Sequence, residues 1–203
     1  ALAHNNLGIL LLQQGDLVGG TTQLRSAMQL NPTNAETILN LASALNQQAK
    51  WPEAADLFSK IVRRDLPDPK VHYGFAVALA HSNRTREAMG QYAAALLIQP
   101  DFPDALDGLA WILSTAPQPD FRNGTEAVKM AERACQLTGH LDPAKLKTLA
   151  AAYAENGNFE AAIQAIQTAM ELAAQANHPK LASECSLMLK QFQMSKPWRS
   201  PRS

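Results

Sequence analysis

Apolar residues recur at helical spacing along most of the chain, and three ladders of small residues run through them in fixed phase. The first ladder passes through Gly8, Ala42, Ala76 and Ala110 in steps of 34 and reaches Ala150 after a step of 40. The second runs through Gly20, Ala54, Ala88, Ala127 and Ala162, and the third through Ala27, Ile61, Ala95, Ala134 and Ala169. Two helices of a hairpin approach closely only where one of them presents little side chain. Large residues flank the small ones: Leu7, Leu41, Phe75, Leu109 and Leu149 on the first helices, and Leu24, Phe58 and Tyr92 on the second. Ala131 and Ile166 take that place in the last two units. A period of this length is one supersecondary unit repeated, here a helix–turn–helix hairpin.

The elements follow from the pattern. First helices are predicted near 2–14, 35–48, 69–82, 103–114 and 143–156. Second helices are predicted near 17–31, 51–64, 85–98, 124–138 and 159–176. Gln14-Gly15-Asp16 and Asn156-Gly157-Asn158 are tight turns within hairpins, where glycine accepts a left-handed backbone. Pro32, Pro67, Pro69, Pro100, Pro103 and Pro143 lie at or near the starts of units, where proline ends one helix or enters the first turn of the next. The fourth unit carries five extra residues between its helices, with Pro117 and Pro119 forbidding a simple helix, and a protruding surface loop is expected over 115–124. An eleventh helix near 179–194 carries Leu181, Leu187 and Leu189 between polar residues, as suits a terminal cap with one face to water. The segment 196–203, with two prolines and two arginines, is expected to be mobile.

With this period, the small–large pattern and the unit-ending prolines, the chain resembles the tetratricopeptide repeat family over about residues 1–175. Unit one is nearest the pattern, through Leu7-Gly8, Gly15-Asp16, Ala27 and Asn31-Pro32. Unit two departs from it at Ile61, where the family prefers alanine, and at Leu66, with the proline shifted to Pro67, so slightly looser packing is expected there. The resemblance implies an all-α, right-handed superhelical solenoid of five units, 1–34, 35–68, 69–102, 103–142 and 143–178, followed by a capping helix at 179–195 and a flexible tail at 196–203. The stretch from Leu109-Ala110-Trp111 through Arg122-Asn123-Gly124, Ala131 to Cys135, Asp142-Pro143 and Leu149 to Tyr153 also looks like the end of large bacterial repeat proteins, and the Lys196-Pro197-Trp198-Arg199 run fits that likeness. In some of those proteins the repeats follow a glycosyltransferase, which implies an alternative role as an accessory region of such an enzyme.

Composition narrows the function. Lysine plus arginine and aspartate plus glutamate stand at 18 each, so no net charge recruits nucleic acid or an anionic membrane. The longest apolar run, Leu7 to Leu12, is far too short to span a bilayer, and membrane insertion is not expected. Cys135 and Cys185 sit among alanines and leucines and are expected to be buried thiols, which leaves the compartment, cytoplasmic or periplasmic, unread. The chain begins with Ala1 and not Met, as a fragment or a processed chain would. His4, His72, His81, His140 and His178 fall in different units, with no second ligand at metal spacing. Asp101, Asp104 and Asp107 form an acidic cluster at the start of a helix, where Asp104 complements the helix dipole. No nucleophile–base set and no phosphate loop is present. The sequence therefore points to a non-enzyme without metal or cofactor.

The resemblance places the binding surface on the first helices, at the second, fifth, sixth, ninth, twelfth and thirteenth positions of each unit. Carried onto this chain, the peptide-binding groove comprises Asn5, Asn6, Ile9, Leu39, Asn40, Lys70, Tyr73, Val77, Asp107, Trp111 and Lys147. Asn6 and Asn40 share one position in consecutive units, and a carboxamide can pair with the backbone of an extended peptide. The ladder ends there, because Gly74, Gly108 and Thr148 follow. Ile9, Leu39, Tyr73, Val77 and Trp111 either supply apolar anchors for a partner or pack between hairpins. A subset of the family grips C-terminal carboxylates with basic residues, but only Lys70 matches that set, so weak or no binding to such tails is expected. The partner expected is a protein or peptide segment bound by a non-catalytic scaffold. Self-association through an uncapped first unit is a further alternative.

Overall fold

The computed structural model describes residues 1–63 and 68–200. Leu66 and Pro67, where unit two was expected to depart from the repeat, lie outside the described residues, as do Arg64 and the segment 201–203. The described residues form eleven α-helices and one short 3-10 turn, with no strand among them. They fall into two compact units, Ala1–Ile98 and Gln99–Ser203.

The first unit holds three hairpins: α1 (Leu2–Gln13) with α2 (Leu17–Leu30), α3 (Ala35–Gln47) with α4 (Trp51–Val62), and α5 (Pro69–His81) with α6 (Thr85–Ile98). The second holds α7 (Pro103–Thr115) with α8 (Gly124–Leu137), α9 (Pro143–Glu155) with α10 (Phe159–Gln175), and α11 (Pro179–Gln193) packed on α10. Where both ends are described, observed and predicted bounds differ by at most one residue.

The small ladders work as their spacing requires. Ala27, Ala42, Ala54, Ala76, Ala88, Ala95, Ala110, Ala127, Ala134, Ala150, Ala162 and Ala169 are all 0 % exposed. A Cβ added at Gly8 would meet Leu24 Cγ at 2.8 Å and the Gly20 carbonyl at 3.0 Å, so α1 and α2 touch backbone to backbone. Ile61, the one large ladder member, is buried beside Phe58 in the core of its unit.

Capping repeats as well. Asp16, Asn34, Asn123 and Asn158 each accept the amide hydrogen three residues on, from Gly19 (2.8 Å), Thr37 (2.8 Å), Glu126 (3.1 Å) and Ala161 (3.1 Å). Asp68 and Asp142 do the same two residues on, at Lys70 (2.8 Å) and Ala144 (2.9 Å), ahead of Pro69 and Pro143 at the first helical position. Such caps satisfy orphan donors and are each worth about 1 kcal/mol. The hairpin turns of the first unit all use a left-handed residue: Gly15, Ala49 and Asn83, at φ 85°, 57° and 59°.

The face of α1 differs from those of α3 and α5. Leu7 and Leu10 are 44 % and 49 % exposed, whereas Leu41 and Ala44, at the same register in α3, are 0 % exposed. Helix α3 packs against α2, α4 and α5, whereas α1 packs mainly against α2.

Two expectations need correction. The fourth-unit insertion is exposed over Gln118, Pro119 and Asp120, as expected, but its ends are packed. Thr115 and Ala116 are buried, Pro119–Phe121 forms a 3-10 turn, and Arg122 Nη1 donates back to the Ala116 carbonyl at 2.9 Å. The Asn123 amide also bonds the Leu113 carbonyl at 2.9 Å, which closes the insertion against the end of α7. The segment after α11, expected to be mobile from Lys196, is tied down at Arg199 and Ser200. The Ser200 amide donates to the Thr115 carbonyl at 2.9 Å, and the two hydroxyls lie 2.9 Å apart.

Candidate functional site

The site residues fall on the first helices of both units, and the two faces have different characters. On the first unit, Asn6 on α1 and Lys70 on α5 are exposed, while Ile9, Leu39, Asn40, Tyr73 and Val77 are half-buried. Asn5 is the exception. It is 3 % exposed and accepts from the Asn40 Nδ2 at 3.3 Å. The asparagine pairing is therefore between neighbouring first helices, with Asn40 spending one donor on Asn5 and Asn6 remaining at the surface. Asn5 lies beneath the face and not on it, because its short polar side chain finds a partner in the next hairpin.

Tyr73 stacks obliquely on Tyr92 of its own hairpin, ring centroids 6.2 Å apart. Gly74, where the asparagine ladder stops, has no room for a side chain: a Cβ there would lie 2.5 Å from Phe58 Cζ. The Gly74 carbonyl accepts from Asn46 Nδ2 at 2.8 Å, which fastens α3 to α5. Trp51 stacks on His81 with centroids 4.2 Å apart, and burial lowers the His81 pKa. His4 with Gln23 (2.7 Å) and His72 with Gln91 (2.8 Å) form the same hydrogen bond at the same register of units one and three. The sequence placed these histidines outside any ligand set, and the structure gives each a partner within its hairpin.

The second unit's face is charged. Trp111 on α7 lies under Lys147 of α9, whose Nζ is 4.8 Å from the ring centroid and 3.1 Å from Glu184 Oε2 on α11. Asp107 is half-buried, one turn before Trp111, and its Oδ1 is buried without a hydrogen-bond partner among the described residues. Burial pushes the Asp107 carboxyl up to about 6, against the opposing pull of the Thr148 hydroxyl and Lys145. Lys145, which sequence reasoning passed over, is the buried cation here, donating to Asp142 at 2.7 Å and to Asp104 at 2.9 Å. Burial works against its charge, but the bonds to the two carboxylates outweigh it and raise its pKa. Asp104 thus holds a neighbouring helix and does more than complement its own. Its partner Lys145 falls at a helix position with no groove register, so the repeat pattern carried no signal for it.

Glu155 at the end of α9 gathers two guanidinium groups. Arg122 Nε donates to its Oε1 at 2.9 Å, and Arg199 Nη1 lies 2.7 Å from its Oε2. The second approach is an ion-pair contact out of line for a hydrogen bond, so buried Oε2 keeps its acceptor capacity.

Cys135 and Cys185 are both fully buried free thiols, and burial pushes Cys135 up to about 12 and Cys185 upward, which keeps both protonated and inert. Among the described residues no group of three or more His, Cys, Asp or Glu could hold a metal ion. No helix among them is long and apolar enough to cross a membrane.

Tandem helical hairpins with small residues at every close approach, and first-helix faces that vary from unit to unit, define a repeat protein. Residues 11–73 match the family model described as tetratricopeptide repeat, and the chain has the tetratricopeptide-repeat fold. It is similar to the crystal structure of MamA, at 17 % identity and TM-score 0.69 over 86 % of this chain and 92 % of that one. It is also similar to YrrB, described as a tetratricopeptide-repeat protein with an unusual peptide-binding site, at 17 % identity and TM-score 0.67, covering 91 % of this chain and 90 % of that one. A third likeness is to PilF of Pseudomonas aeruginosa, at 17 % identity and TM-score 0.66, covering 96 % of each chain. Among curated proteins no relative matches the chain.

Proposed function

We propose that the chain is a non-catalytic module that binds a segment of another polypeptide on its first-helix faces. The observation that carries this reading is the surface of the first unit. There the first helices α1, α3 and α5 carry half-buried Ile9, Leu39, Tyr73 and Val77 together with exposed Asn6 and Lys70. Apolar anchors together with exposed donors suit an extended or amphipathic segment, with side chains seated on the apolar residues and backbone groups met by amide and ammonium. The fold agrees, since the peptide-binding site named for YrrB belongs to a protein of the same architecture.

The test is a double substitution, Asn6→Ala with Val77→Arg. It leaves alone Asn40, whose loss would orphan buried Asn5. Capture of a partner by the unaltered chain and an affinity at least about ten-fold weaker in the variant, a change of about 1.4 kcal/mol, is the expected outcome. Unchanged affinity in a variant with unchanged circular dichroism contradicts the first-unit face as the site.

A further inference from the structure

We infer that the second unit carries a binding site for an extended, arginine-bearing segment, centred on Glu155 and the end of α7, and that the chain's own residues Arg199 and Ser200 fill it. This rests on the first-helix faces being binding surfaces and specifies the ligand of one of them.

The geometry is that of a seated ligand. Ser200 presents its backbone amide to the Thr115 carbonyl and its hydroxyl to the Thr115 hydroxyl, both at 2.9 Å. Arg199 Nη1 reaches the Ser114 carbonyl at 3.3 Å and lies 2.7 Å from Glu155 Oε2. Ser114 and Thr115 end a helix whose last carbonyls have no intrahelical partner, so they are natural acceptors for an incoming chain. The carboxylate is a natural acceptor for a guanidinium.

The end of α7 is also more deeply buried than the matching helix ends of the first unit. At the twelfth position, Leu12, Asn46 and Ala80 of the first unit are half-buried, whereas Ser114 and Ala154 of the second are 0 % and 1 % exposed. At the thirteenth, Gln13, Gln47 and His81 are exposed, but Thr115 is 1 % exposed. The segment after α11 touches both Ser114 and Thr115. The fourth-unit insertion closes on the same helix end, through the Asn123 amide and the Leu113 carbonyl, so the segment after α11 adds to a seat already formed there.

The fit is incomplete in one informative respect. Arg122 already makes an in-line bond to Glu155 Oε1, while Oε2 is buried and receives from Arg199 only an out-of-line contact. A second guanidinium arriving in line would satisfy Oε2 fully. A partner segment with an arginine followed by a small hydroxyl residue therefore competes with the chain's own segment. Its apparent affinity is reduced by the fraction of molecules in which the site is closed.

The probe is the free peptide Ser-Lys-Pro-Trp-Arg-Ser, blocked at both ends and used up to millimolar concentration, since the tethered segment has a local concentration of that order. Binding is read from the backbone amide signals of Thr115 and Glu155 in isotope-labelled full-length protein. In an opened chain, Trp198→Ala with Arg199→Ala, the peptide is expected to bind at least about ten-fold more tightly than in the unaltered chain. A peptide with alanine for arginine is expected not to bind, and Glu155→Gln in the opened chain is expected to abolish binding. Equal affinity in opened and unaltered chains, or equal binding by the alanine peptide, overturns the inference. If the double substitution unfolds the protein, Arg199→Ala alone supplies the opened chain, and the same outcomes decide. The first-unit reading is judged separately by Asn6→Ala with Val77→Arg, so either can fail without the other.

Discussion

Asp107 shows what a single residue costs in a repeat array. Its Oδ1 is buried without a hydrogen-bond partner among the described residues, and its folded pKa of about 6 stands above the ordinary carboxylate value of 3.8. A folded pKa raised above the unfolded one means that the unfolded state ionises first. The penalty is absent below about pH 4, grows as pH rises through the window to 6, and is fully present at neutral pH. About two pKa units correspond to at most about 3 kcal/mol. Asp107→Asn keeps a group that can face Thr148 and removes the charge. It is expected to raise the melting temperature at pH 7 and to leave it unchanged at pH 4, as calorimetry at the two pH values would show. Lys145 is the opposite case: a buried cation with two carboxylates in bonding contact, which keeps its charge at every accessible pH.

At the scale of the element, the hairpin turn repeats more faithfully than the residues that fill it. Gly15, Ala49 and Asn83 occupy one left-handed position in three consecutive hairpins. Glycine takes that conformation freely, whereas alanine pays about 1 kcal/mol for its Cβ. Ala49→Gly is therefore expected to stabilise the protein by about 0.5–1 kcal/mol, measured as a higher denaturant midpoint with unchanged slope. Helices, turns and close approaches were legible in the sequence because each is stated locally, by the spacing of Gly8, Ala42 and Ala76, by Asp142-Pro143, or by Gly157. What joins one hairpin to another was not. The Asn40–Asn5 bond, the Lys145 pairings and the docking of Arg199 on Glu155 link residues that no period relates. The mobile tail was expected from composition, which describes what a segment can do alone and says nothing of carbonyls waiting at the end of α7. The groove assignment met the same limit: it named Asn5 by its register, and only packing against Asn40 shows that it lies below the surface.

For the molecule as a whole, a scaffold of near-identical hairpins presents two unlike faces. In the first unit the first helices carry half-buried apolar residues together with exposed Asn6 and Lys70. In the second, Asp107, Lys147, Trp111 and Glu155 form a charged surface partly filled by the chain itself. A repeat fold permits this because the ladder positions hold the hairpins together, leaving the first-helix positions free to differ. The central claim is that a polypeptide binds on those first helices, and site-specific photo-crosslinking tests it most directly. A benzoylphenylalanine placed at Val77, on the first-unit face, should crosslink a partner that the same probe at Lys60, exposed on second helix α4, does not reach. Crosslinking from Lys60 with none from Val77 would contradict the account and move the binding surface to the second helices.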